Sequence, residues 1–212
     1  MDGIYIAFDN RDVGIIWTPG GVPTESNRSF AIPPNKRGFE FFFEPILSRL
    51  EPLCWFAQGW QSSPFVAAIY EPGGEEKLNE FWIDHPRFYQ VSASVFRAGV
   101  LPTLAPWLYD DWIDLIGFRC NEEDVCSVAD GLYDADNRGR DAYYAAIDRK
   151  AELCFFCIDG FSWELYCHEP DVLEAVGDHV ASIGHITVKR CRLNERDRVL
   201  FNDWKLGDES SD

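Results

Sequence analysis

The stretch CFFCIDGFSWELYCHEP, residues 154–170, opens with a C-x-x-C pair and crowds further sulfur and a histidine into a few positions. Asp159-Gly160 lies between two runs rich in aromatic and aliphatic residues, which is the strongest short-range signal for a two-residue hairpin. Such a turn pairs Ile158 with Phe161, Cys157 with Ser162, Phe156 with Trp163 and Cys154 with Leu165. Side chains alternate along a strand, so Cys154, Phe156, Ile158, Phe161, Trp163, Leu165 and Cys167 fall on one apolar face and Cys157 on the other. A C-x-x-C pair holds zinc when a tight turn brings both sulfurs to one point. On an extended strand the sulfurs diverge, which excludes a shared metal and a mutual disulfide. A thioredoxin-type pair would need its first cysteine at the start of a helix. Cys154 and Cys167 are therefore read as small apolar fillers of a core, and neither a metal nor a cofactor is expected.

Outward from the hairpin the C-terminal third reads as a helix–hairpin–helix–strand unit. A helix is expected at about 140–150. A second, at 171–183, has Pro170 in its first turn and a buried stripe of Val172, Leu173, Val176, Val180 and Ile183. His179 falls at the edge of that stripe as a boundary residue. Gly184 stops the helix and HITVKRCRL (185–193) supplies a strand. Asp134, Asp136 and Gly139 match the first, third and sixth positions of a calcium loop. Arg138 and Ala145 stand where the fifth and twelfth ligands should be, so DADNRGRD (134–141) is read as a polar loop capping the next helix.

The N-terminal half is less regular. A hairpin is expected from about 3–8 and 13–17, followed by a long loop at 18–37. GFEFFF (38–43) reads as a buried strand or the approach to a helix, and Pro45 opens a helix through Leu50 that Pro52 ends. Strands are expected at 63–70 and 78–83, and 87–98 is ambiguous between strand and helix. WIDLIGFR (112–119) alternates as a strand, and NEEDVCSVADGL (121–132) reads as a helix capped by Asn121. Glu122, Glu123 and Asp124 then meet the positive end of its dipole. The expected fold is α+β: one domain over 1–212 with a mixed, mainly antiparallel sheet, flanking helices and a frayed acidic tail at 207–212.

The chain has 212 residues, 46% of them hydrophobic, a globular composition able to bury roughly 70% of its unfolded surface. Its 36 acidic residues against 19 basic ones give a formal charge of −17. That charge disfavours nucleic acid backbones and anionic lipid as direct partners and favours a basic protein. The N-terminus lacks the pattern of a signal peptide, and no apolar run approaches the ~18 residues of a membrane span. A reducing cytosol with free thiols is the expected compartment.

No phosphate-binding glycine loop, nucleophile elbow or dinucleotide fingerprint occurs. The stretch APWLYDDWIDLIGF (105–118) interleaves Trp107, Tyr109 and Trp112 with Asp110, Asp111 and Asp114. With Glu122, Glu123 and Asp124 it forms the candidate surface for a Lys/Arg-rich partner, through burial, cation–π contact and charge pairing. The expected function is a non-catalytic acidic binder, of immunity, antitoxin or inhibitor type, including the imitation of nucleic acid by rows of carboxylates. Two readings stand beside it. One is a hydrolase or transferase with a site assembled from scattered residues, His85, His168, His179 and His185 first among them. The other is a structural subunit whose aromatic residues face a like partner.

Overall fold

The computed structural model describes residues 1–8, 42–59, 82–83, 93–98, 113–119, 124–158, 162–183 and 186–196. Its strands are β1 (Asp2–Phe8), β2 (Cys54–Gly59), β3 (Trp82–Ile83), β4 (Ala93–Phe96), β5 (Ile113–Phe118), β6 (Leu153–Ile158), β7 (Ser162–Cys167) and β8 (Ile186–Arg192). They form one sheet in the order β3-β4-β2-β5-β6-β7-β1-β8, antiparallel at every pairing. The helices are α1 (Leu47–Leu50), continuing a 3-10 turn at Glu44–Ile46, then α2 (Val125–Asp136), α3 (Arg140–Lys150) and α4 (Pro170–Ile183). The fold is α+β. No helix among the described residues is long and apolar enough to cross a membrane.

Both faces of the sheet are covered. On one face Phe43, Ile46 and Leu50 from α1 and its preceding turn join Val172, Leu173, Val176 and Val180 of α4. They pack over Ile4, Ile6, Trp55, Leu115, Phe155, Trp163 and Leu165. Phe43 sits edge-on to Phe155 at 4.7 Å and to Trp163 at 5.7 Å, the geometry that ring quadrupoles favour. On the other face Val125, Ala129, Leu132 and Ala135 of α2 and Tyr143, Tyr144 and Ile147 of α3 cover Phe56, Val95, Ile116, Phe118, Cys154, Phe156 and Tyr166. The stripe expected on α4 is buried as read, with Ile183 half-buried at its end and His179 at the boundary.

The hairpin at the centre departs from the expected register. Ile158 pairs with Ser162, Phe156 with Glu164 and Cys154 with Tyr166, so three residues rather than two separate the paired ends. One extra residue inverts the parity of β7 relative to β6. Trp163, Leu165 and Cys167 therefore share a core with Leu153 and Phe155, while Cys154 and Phe156 face the α2–α3 side. Alternation could not discriminate between these registers, because a strand covered on both sides is apolar at both parities. Cys154 and Cys167 remain buried fillers, now in opposite cores, and burial pushes both thiols above their ordinary pKa. The C-x-x-C pair lies within one continuous strand.

Other expectations shift by smaller amounts. β1 is paired with β7 on one side and β8 on the other, so it has no free edge for a hairpin with 13–17, which lie outside the described residues. β2 was not anticipated, because Pro52 and the short apolar run after it carry little periodicity. The ambiguous region 87–98 contains β4, and 63–70 falls outside the described residues. α2 runs on to Asp136, so the first half of DADNRGRD is its last turn rather than loop. α3 begins at Arg140 after Gly139, whose φ of 105° favours glycine and lets the chain reverse between the two helices.

Two glycines meet an aromatic ring directly across a strand pair. Gly3 of β1 lies opposite Tyr166, and a Cβ added there would stand 2.3 Å from the ring. Gly117 of β5 lies opposite Trp55 on the other face, where a Cβ would stand 2.8 Å from the indole. In each pair the ring occupies the volume that a side chain would need. Gly131 on the exposed side of α2 has open space around it instead. Gly3→Ala and Gly117→Ala should each lower stability by about 1–3 kcal/mol through overpacking. Gly131→Ala should raise it by roughly 0.5–1 kcal/mol through helix propensity and unfolded-state entropy. Urea denaturation of the three variants tests the contrast, and equal effects would contradict it.

Candidate functional site

Of the candidate surface read from sequence, Trp107, Tyr109, Asp110, Asp111, Trp112, Glu122 and Glu123 lie outside the described residues. Asp124 is exposed at the N-cap position of α2, where its side chain makes no capping hydrogen bond, so the helix starts later than the expected Asn121. Asp114 faces the sheet's α2–α3 side and is partly buried. The structure thus separates the described members: Asp124 faces solvent, while Asp114 belongs to an interior polar cluster.

That cluster follows one row across the sheet. Gln58 of β2 pairs with Asp114 of β5, Asp114 with Phe156 of β6, and Phe156 with Glu164 of β7. Arg196, just beyond β8, lies over this row with its guanidinium carbon 4.2 Å from the centre of the Phe156 ring. Its Nε donates to Glu164 Oε2 at 2.7 Å and its Nη1 to the Tyr144 hydroxyl at 3.0 Å. Tyr166 donates to the same Glu164 oxygen at 2.7 Å. Glu164 and Arg196 are only 2% and 6% exposed, so this is a buried ion pair with aromatic walls. Burial alone would disfavour the Arg196 charge, but Glu164 and Asp114 outweigh it and raise its pKa.

At the other end of the row, Gln58 Nε2 donates to Asp136 Oδ2 at 2.5 Å. Asp114 lies between that pair and Arg196, with the Tyr143 hydroxyl directed at its carboxyl. Burial raises its pKa to about 6 against the pull of Arg196 and Tyr143, and Glu164 and Asp136 push it further up. The Tyr143 hydroxyl lies beside it, held well above its ordinary pKa by burial and then by the charge of Asp114. A carboxyl that changes charge near neutrality can take up a proton or attract a cation according to pH.

The described histidines do not join this cluster. His168 is exposed, with Nε2 2.9 Å from the Asp148 carbonyl oxygen, and His179 lies on α4 over the opposite face. His85 and His185 lie outside the described residues. Among those residues, no three His, Cys, Asp or Glu side chains converge on a metal position. Beside the sheet, a cleft of about 510 Å³ is lined by Asp2, Asp141, Tyr144, Asp148, Arg192 and Asn194, among others. It touches the cluster through Tyr144.

Of these residues only Asp114 was nominated from sequence. Glu164 gave one signal: it is the sole charged residue of β7. Arg196, Gln58 and Tyr143 carried none, and Asp136 was noticed only within the rejected calcium-loop match, since all four come to this row through tertiary packing. Comparison with protein-family models, with curated proteins and with solved structures returns no match.

The cluster makes opposite predictions for its two ends. Asp114 ionises less readily folded than unfolded, so its charge destabilises the fold above pH 6, and the penalty disappears below about pH 4. Asp114→Asn should therefore raise stability by about 1–3 kcal/mol at pH 7.5, with the gain shrinking as pH falls through 6. Arg196→Met, which strands the buried Glu164, should cost about 3–5 kcal/mol, and adding Glu164→Gln should recover part of that loss. Denaturation series across pH check both expectations.

Proposed function

We propose that this chain is a non-catalytic acidic binding protein that engages a basic protein and neutralises or recruits it. The formal charge of −17 carries this reading. A net charge of that size attracts basic partners over a Debye length and speeds their encounter, while repelling nucleic acid and anionic membranes. The helices on both faces of the sheet support it, because Asp134 on α2, Asp141 on α3, and Glu174 and Asp178 on α4 are all exposed. The negative field is therefore spread around the sheet rather than confined to one side. Exposed ion pairs such as that joining Arg49 to Glu169 offset it locally and add little stability.

An immunity, antitoxin or inhibitor role is the specific form of this proposal, with nucleic-acid mimicry as its sharpest version. Cytosolic residence belongs to the same proposal and is supported by the free thiols of Cys54, Cys126, Cys154, Cys167 and Cys191. The full chain, immobilised and exposed to extract of its native host, should retain a basic protein at low salt and release it at high salt. Retention of no basic protein, or binding indifferent to salt, would overturn the proposal.

A further inference from the structure

We propose that the outer edge of β8 receives an acidic extended segment of a partner protein, which adds to the sheet as a further strand. β8 ends the strand order and, among the described residues, pairs with β1 on one side only. Its sequence, ITVKRCR, matches β1 in unbroken register from Asp2–Arg192 to Phe8–Ile186, and no proline or glycine interrupts it. A continuous edge of that kind presents a row of backbone N–H and C=O groups to which another strand can pair. β3, at the opposite edge, has only two residues and offers no comparable template.

The side chains along this edge decide which strand fits. β8 carries Lys189, Arg190 and Arg192 and no acid, in a chain with 36 acidic residues and 19 basic ones. Ile186 and Val188 pack toward the α4 side of the sheet and Cys191 toward the α2–α3 side. Alternation then places Arg190 and Arg192 on the α4 side and Lys189 on the other, and all three residues are exposed. Arg190 stands 3.9 Å from Glu174 and Arg192 stands 3.5 Å from Asp2, pairs open to solvent on both sides. Exposed pairs of that length contribute little, so both arginines can exchange them for carboxylates on an added strand. Opposite charges across a strand pair stabilise it, and like charges do the reverse.

Basic residues on an edge also guard it against pairing with itself. A second copy would bring the same three cations against this edge, and a second charge of −17 beside the first. That guard does not act against an acidic strand. Nucleic acid could meet the arginines, but its phosphates cannot continue the backbone ladder, and the net charge of the chain repels them. In strand addition the main-chain bonds supply affinity and the side chains supply specificity. This edge stands apart from the binding function proposed above, which draws on the exposed acids of the helices. One molecule using both surfaces would join a basic protein to an acidic one.

The test is a titration of the full chain with a capped heptapeptide of alternating glutamate and valine, followed by backbone amide resonances and hydrogen exchange. The β8 amides should shift, and those on its outer side should become protected. Arg190→Glu combined with Arg192→Glu should weaken affinity about tenfold. Both side chains are exposed, so the far-UV circular dichroism of that variant should match the parent. The same peptide N-methylated throughout keeps its charge, loses its ladder donors and should not bind. A lysine–valine counterpart should leave the β8 amides unshifted. Equal binding of the N-methylated peptide, or of the charge-reversed chain, would reduce the interaction to diffuse charge and overturn the strand addition. Absence of binding, a dimer of the free chain closed through β8, or equal affinity for a single-stranded heptanucleotide would overturn it as well. The salt-dependent capture of a basic protein is decided separately from all of these outcomes.

Discussion

Cover on both faces of the sheet is the constraint from which the other features follow. β6 shows it most directly: Leu153 and Phe155 enter one core, and Cys154 and Phe156 enter the other. A strand in that position has no side for a solvated side chain, so polarity must be confined or paired. Gln58, Asp114 and Glu164 confine it to a single row on the α2–α3 side. The same constraint explains why rings lie over Gly3 and Gly117, since large residues on one strand need small ones across from them when a helix presses from above.

Within the row, the two carboxylates have different fates. Glu164 is enclosed by Arg196 and Tyr166, so its charge is matched where it stands. Asp114 feels Arg196 only through space, and desolvation dominates it. The difference is one of access to donors, because Arg196 has its Nε and Nη1 directed to Glu164 and Tyr144. A buried ion pair adds little net stability, yet removing one partner is costly, so the pair acts chiefly to hold the segment after β8 against Phe156. Retaining the Asp114 carboxylate beside it, where desolvation outweighs Arg196 and Tyr143, costs folding energy.

Much of the fold was legible because periodicity and punctuation agree in the C-terminal third. The stripe of Val172, Leu173, Val176 and Val180 marked α4, and Arg140–Lys150 appeared where a helix was expected. The register of the β6–β7 hairpin was not legible, because loop length sets it and both parities of those strands are hydrophobic. The order of strands was not legible either, since the pairing of β1 with β7 and β8 joins opposite ends of the sequence. Asp114 could be nominated from its aromatic and acidic neighbours. Its inward orientation could not, because Tyr143, Asp136 and Arg196 are brought to it by the packing of α2–α3 and by the turn after β8.

The position of β1 has a consequence for how the chain is made. β7 and β8 run parallel to one another, α4 carries the chain between them, and β1 fills the slot they leave. Synthesis delivers β1 well before either of its neighbours. Until the ribosome has passed the residues of β7, Ile4 and Ile6 have no ladder partner among the described strands, and until it has passed β8 they are paired on one side only. β1 thus waits for partners more than 150 residues further along, and closing the sheet around it is a long-range, late step of folding.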